Sequence, residues 1–353
     1  MQRREFLGHG VSAALFAAGC RRAPPPSRPA VLTALVHEVV VPSTAAVVTA
    51  SGELLDAAGA LAAGPSAKTL GAARVKLKAA ALVWKRAQCF RNGPMVETNA
   101  FVRTLFWPPR PEAIEKVLGA EGAIDDAFVA ALGVDARGVY AVEYLLFPLE
   151  RDEAASLALF TGETGTRRRD LCRALAASIA DYASKASRAL GDGVAYAARF
   201  SQGAQVSLSI LVNQMIGTIE GLAAHRLERV LELDKLRRLV PKEVEGWPSG
   251  HSHEIALAQL EGNERLYRGG KSGGLAELAR ATAPAIHERV SERYVAALAA
   301  LRALPGPLER IVTTGRAKLV DAAAATKALE LALKVDLASA LGVTITFQTG
   351  DGD

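Results

Sequence analysis

Aromatic side chains make up only 5% of this chain, and the alternation of Val, Ile and Thr with polar residues that marks strands is nearly missing. A sheet-built sandwich or barrel is thereby excluded as the main architecture. The chain holds three cysteines and no Cys-x-x-Cys pair, so neither a zinc ribbon nor a thioredoxin-like redox centre is expected. It has no His-Glu-x-x-His signature, no serine elbow and no Cys-His nucleophile pattern. A basic stripe interleaved with aromatics is also missing. The formal charge of +5 is spread along the chain with acids close by, as at Arg167–Asp170 and Leu233–Leu239. Solvated helix faces account for such charges, and no nucleic acid is expected as a partner.

What remains is helical material. Half of the 353 residues are hydrophobic, with alanine and leucine abundant, which suits two domains better than one. Helical spacing runs over 30–61 with a break or kink near Pro42, and over 67–91 up to Asn92-Gly93-Pro94. It continues over 95–106, in short pieces ahead of residue 137, and over 167–190. Gly191-Asp192-Gly193 marks a boundary. Beyond it come helices over 205–239, 253–267, 274–304 and 307–341, a loop at 241–252, and an extended acidic tail over 342–353. The pattern predicts an all-α protein of two four-helix-bundle-like domains, 31–192 and 193–353.

The amino terminus reads as an export signal over 1–20. Arg3-Arg4, Phe6-Leu7 and the apolar run Val11–Ala18 precede Gly19-Cys20, and the run is too short to span a bilayer. The paired arginines resemble a bacterial twin-arginine signal; a general secretory signal is the alternative. Ala17-Ala18-Gly19-Cys20 resembles a lipobox with Ala17 in the usual place of Leu, which would make Cys20 a lipidated anchor to a membrane; plain cleavage without lipid is the other reading. Residues 21–30, rich in proline, form a stiff tether. Cys89 and Cys172 fall in apolar helical surroundings, either as buried thiols or as one disulfide.

The stretch Arg137–Phe147, RGVYAVEYLLF, needs an explanation. Tyr140 and Glu143 are three residues apart, so on a helix they share a face. The neighbouring positions are apolar, and a carboxylate buried there must be paired, hydrogen-bonded or bound to a cation. His225 and Glu228 repeat the His-x-x-Glu spacing, but in charged surroundings that suit an exposed face.

LVWKRAQCFRNGP (82–94), LFWPP (105–109), GVYAVEYLLF (138–147), EGWPSGHS (245–252), LEGNERLY (260–267) and LASALGVTITFQTGDGD (337–353) together resemble the imelysin-like proteins, the M75 peptidase family, over essentially the whole mature chain. The resemblance implies two helical bundles, a bacterial envelope location and a site between the domains. The family signature is Gly-x-His-x-x-Glu. Gly138 and Glu143 match it, and Tyr140 stands where the histidine belongs. Phenol in place of imidazole removes a nitrogen ligand and weakens the case for zinc peptidase chemistry.

The reading adopted is a noncatalytic periplasmic protein that binds a small ligand or metal between two helical domains, with a link to iron uptake and with an envelope protein as a further partner. The alternatives are a metallopeptidase of the M75 type and a structural or partner-binding lipoprotein. Were iron the cofactor, Tyr140 and Glu143 would offer hard oxygen donors; otherwise Tyr140 donates its hydroxyl to Glu143 or to a neighbour, as a satisfied buried polar pair. Arg86, Arg91 and Arg226 are candidates for a positive lining that neutralises Glu143 or captures an anion. Trp247, with Trp84 and Trp107, is a candidate wall. Ser249 and Ser252 are expected to cap the helix that begins near His253, or to touch the ligand. His251 and His253 stay ambiguous.

Overall fold

The computed structural model describes residues 26–148, 152–162, 165–235 and 243–346. The export signal, Cys20, most of the tether and the tail from 347 lie outside the described residues. Among those described, no strand forms. The helices are α1 (Arg28–Ala63), α2 (Ala67–Ala87), α3 (Pro94–Glu97), α4 (Ala100–Leu105), α5 (Pro111–Gly119), α6 (Asp126–Ala131), α7 (Gly138–Leu146), α8 (Glu153–Thr161) and α9 (Gly165–Leu190). They continue as α10 (Val194–Gln202), α11 (Gln205–Lys235), α12 (Ser252–Arg268), α13 (Leu275–Thr282), α14 (Pro284–Arg302), α15 (Leu308–Thr314) and α16 (316–340).

Local chemistry sets these boundaries. Ser66 and Thr69 form a reciprocal capping box that starts α2, satisfying amide groups the helix cannot. Leu70, Ala73, Leu77, Ala80, Ala81 and Trp84 then recur on one buried face. Burying one such leucine contributes about 1.5–3 kcal/mol. Trp84 is fully enclosed because its indole N–H donates to Ser51 Oγ at 3.0 Å.

Two hydrophobic clusters result. In the first, α1, α2, α7 and α9 pack around Leu54, Leu77, Leu146 and Leu175. In the second, α11, α12, α14 and α16 pack around Ile219, Leu260, Leu298 and Leu333. The all-α expectation of two four-helix bundles is met. The bundles meet chiefly where α12 lies on α2. Gly262 makes this approach possible, since a Cβ there would sit 2.3 Å from the carbonyl oxygen of Arg86.

Three expectations are corrected. Of the break or kink expected near Pro42, the break does not occur: α1 runs through it, widened into a π-helical turn over Val36–Val40 just before the proline, which lacks an amide hydrogen and needs room for its ring. Val31–Val40 pack into the second cluster, so the amino-terminal end of α1 belongs with the second bundle. The helix expected over 274–304 divides at Ala283-Pro284 into α13 and α14. Cys89 and Cys172 are buried free thiols, one in each cluster. After α16 the chain has neither helix nor strand over 343–346 and is held by Asn213, which donates to Thr344 O at 3.0 Å and accepts from the Thr346 amide at 2.9 Å.

Candidate functional site

Helix α7 starts at a glycine because no other residue fits there. Gly138 has φ +78°, and a Cβ would lie 2.4 Å from Thr104 O. From that start the helix turns both Tyr140 and Glu143 into the protein, where they are 1% and 2% exposed. They do not bond each other. The Tyr140 hydroxyl donates to Glu245 Oε1, in the loop ahead of α12. Lys85 Nζ, from the end of α2, lies 2.5 Å from the same oxygen. Arg226, on a π-helical turn of α11, donates to Glu245 Oε2 from Nε at 2.8 Å and again from Nη2. Lys85 also donates to Gln88 Oε1 at 3.2 Å. Glu245 thus ties α2, α7 and α11 together at the seam between the bundles.

Glu143 belongs to an adjoining set. Ser249 Oγ donates to Glu143 Oε1 and is in hydrogen-bond contact with His251 Nδ1. His251 Nδ1 lies 3.5 Å from the same carboxylate oxygen. A hydroxyl has one proton, so with Ser249 donating to Glu143 the imidazole must donate from Nδ1 to Ser249. His251 Nε2 is then an acceptor, and it is buried without a partner among the described residues.

Burial governs the ionisation of both sets. It raises Glu143 to about 7, against the hydrogen bonds from Ser249. It lowers His251 to about 4, so the ring is neutral, and lowers Lys85 to about 8 against the attraction of Glu245. Glu245 is pushed up by burial too, but Arg226 and Lys85 outweigh that and hold it at about 2. Tyr140 is driven well above 10 by burial, with Glu245 adding to it, and is a phenol.

The other sequence candidates divide. Arg226 joins the cluster, and Ser249 holds Glu143. Arg86 turns away to an exposed pair with Glu261 at 2.8 Å. Ser252 does not cap α12; it accepts from the Leu308 amide at 2.8 Å and donates to Glu309 at 2.6 Å, fixing the start of α15. Ser249 is no cap either, because its hydroxyl is committed to Glu143. Trp247 is half-buried against the second core. His225 and Glu228 are exposed, as the charged surroundings implied, and His253 bonds Leu301 O at 2.8 Å.

Sequence reasoning missed Lys85 and Glu245. For Lys85 a signal existed: it follows Leu77 and Ala81 at intervals of four, which places a lysine in the phase of the core. For Glu245, in an irregular loop, periodicity offers none.

Beside this seam lies a cleft of about 690 Å³, bordered by Gln88, Arg91 and Arg226 and by residues of α11, α12 and α16. Gln88 and Arg226 face both the cleft and the charge cluster.

The donor set does not fit a metal ion. Tyr140 keeps its proton and spends it on Glu245, whose oxygens are already filled by two cations and a phenol. Glu143 and His251 are two donors at most, and no group of three or more His, Cys, Asp or Glu among the described residues is arranged to hold an ion.

No curated protein matches the chain. Among solved structures, a Parabacteroides distasonis protein described as an iron-regulated protein A precursor superposes with a TM-score of 0.73 and 17% identity, covering 90% of this chain and 97% of that one. An imelysin-like protein from Psychrobacter arcticum gives 0.70 and 15%, covering 91% and 97%. At such identities the likeness is one of fold. The family model for imelysin, peptidase M75, matches residues 40–338, and a match over that much of the sequence establishes that the chain belongs to the imelysin family.

Proposed function

We propose that this imelysin-family chain is a noncatalytic envelope protein that recognises a ligand at the seam between its two bundles. The observation that carries this reading is the commitment of the Tyr140 hydroxyl to Glu245, which Lys85 and Arg226 already saturate. Hydrolysis of a peptide needs a reachable nucleophile or an activated water beside an oriented base. Ser249 and His251 are buried and bonded to each other and to Glu143, which suits a fixed scaffold more than turnover. Export by the twin-arginine route, anchoring through Cys20 and contact with an envelope partner complete the proposal. The link to iron rests on family kinship, one structural relative being described as iron-regulated.

The test uses untagged mature protein. Incubated with an unfolded protein substrate, it is expected to leave the substrate intact with or without chelator, and elemental analysis is expected to find no stoichiometric metal. Chelator-sensitive cleavage would replace this proposal by the metallopeptidase reading. A stoichiometric metal lost in Glu143→Ala would replace it by an iron-binding one. In cells, crosslinking is expected to recover a specific envelope partner.

A further inference from the structure

The cleft beside the seam has an electrostatic imbalance that the described residues do not resolve. Its cationic lining residues are Arg91, Arg226 and Lys334, and its acidic one is Glu220. Lys334 Nζ lies 4.0 Å from Glu220 Oε1, so those two charges offset each other. Behind Arg226, Glu245 is a single negative charge held between two positive ones, Lys85 and Arg226. That trio keeps one positive charge in surplus. Arg91 supplies another, with no ion pair among the described residues and its backbone carbonyl accepting from Gln214. His225 also lines the cleft and is exposed. Charge of one sign in a cleft with low-dielectric walls concentrates ligands of the other sign.

Hydrogen-bonding capacity points the same way. Arg226 uses Nε and Nη2 on Glu245 but makes no hydrogen bond from Nη1 among the described residues. A guanidinium with a free edge binds carboxylate or phosphate oxygens. Two glutamines of the cleft each donate their amide nitrogen to a backbone carbonyl, Gln214 to Arg91 O and Gln259 to Thr218 O. The carbonyl partners fix both amide orientations. Each Oε1 is buried and meets no donor among the described residues, so a ligand, or a water it holds, that offers hydroxyl or amide protons would satisfy them. At about 690 Å³ the cleft falls within the range of small-molecule sites.

We propose that this cleft binds a small organic anion, its carboxylate or phosphate group set against Arg226 and Arg91 and its hydroxyl or amide groups against Gln214 and Gln259. This deepens, and rests on, the reading of the protein as a binder. Because Arg226 also grips Glu245, the anion would draw on the residue that ties α11 to the seam. A ligand in the second bundle's cleft would thereby be felt at Tyr140 in the first.

The experiment is isothermal titration of the untagged mature protein at low ionic strength and neutral pH. The probes are citrate, succinate, inorganic phosphate, neutral glycerol and cationic spermidine. Saturable binding of one anionic probe is expected, weakened about tenfold or more in Arg91→Gln, the loss of one charge-assisted contact, and weakened again by added salt. Citrate and succinate against phosphate separate the two anion chemistries. Gln214→Leu, which removes an acceptor and no charge, is a second variant, and circular dichroism checks that each variant is folded. Anion binding indifferent to both variants would overturn the location. Saturable binding of glycerol or spermidine, with no anion bound, would overturn the anionic class while leaving the binding reading intact. No binding by any probe would overturn the proposed anion site, and proteolytic turnover alone would overturn the noncatalytic reading.

Discussion

Replacing Glu245 by glutamine keeps the shape of the side chain and removes the charge between Lys85 and Arg226. Both cations then face each other across a buried site without an anion. Removing one partner of a buried ion pair costs about 3–5 kcal/mol, mostly the penalty of the charge left behind. The depression of Glu245 from 4.5 to about 2 leads independently to about 3 kcal/mol. For a bundle of this size such a loss lowers the melting temperature by about 6–20 °C. The assay is thermal unfolding followed by circular dichroism at neutral pH. Lys85→Met combined with Glu245→Gln removes one of the stranded cations and is expected to recover part of the loss, as a positive coupling in the double-mutant cycle. The cluster's stability also has an acid limit. Glu245 is depressed, so its contribution is present above 4.5 and is lost as pH falls through 2. A melting temperature for Glu245→Gln within about 1 °C of wild type would refute the reasoning, because a buried carboxylate with two cations cannot be neutralised at no cost.

Tyr140→Phe removes one hydrogen bond to a charged acceptor and is expected to destabilise the protein by about 1.5–3 kcal/mol in urea unfolding; a change near zero would mean that water replaces the hydroxyl. Glu143 and His251 predict opposing pH effects. Glu143, raised from 4.5 to about 7, lowers stability as pH rises through that window; His251, lowered from 6.5 to about 4, raises stability as pH climbs from 4 to 6.5. Urea unfolding of Glu143→Gln should therefore show stability climbing over pH 4–6.5, and His251→Asn stability falling over pH 4.5–7, while wild type is flatter than either; three parallel profiles would refute the assignment. Gly262→Ala should lower the melting temperature through a cost of about 1–3 kcal/mol, since its methyl group meets backbone; unchanged melting would show that the bundles separate there freely.

The parts of the fold legible in the sequence were those written in periodicity. The apolar stripe of α2 and the apolar surroundings of Glu143 required buried helices, and a carboxylate in such a helix required partners. Which partners was not legible. Ser249 and Glu245 lie more than a hundred residues from their partners Glu143 and Tyr140, in a loop whose conformation depends on three helices already being in place. Ser252 illustrates the same limit: a serine at a helix start suggests a cap, but its hydroxyl faces α15, an element that local pattern cannot place beside it. The π-helical turn that carries Arg226, the residue that bonds Glu245, has no composition cue either.

The first helix sets a mechanical condition on everything above. One continuous rod, α1, contributes Val31–Val40 to one core and Val47–Leu61 to the other. Two halves skewered on a common axle cannot swing open like a clamshell without bending that axle or stripping it from one core. Ligand entry is therefore expected to involve side chains and loop 243–251, with the bundles themselves keeping their mutual orientation.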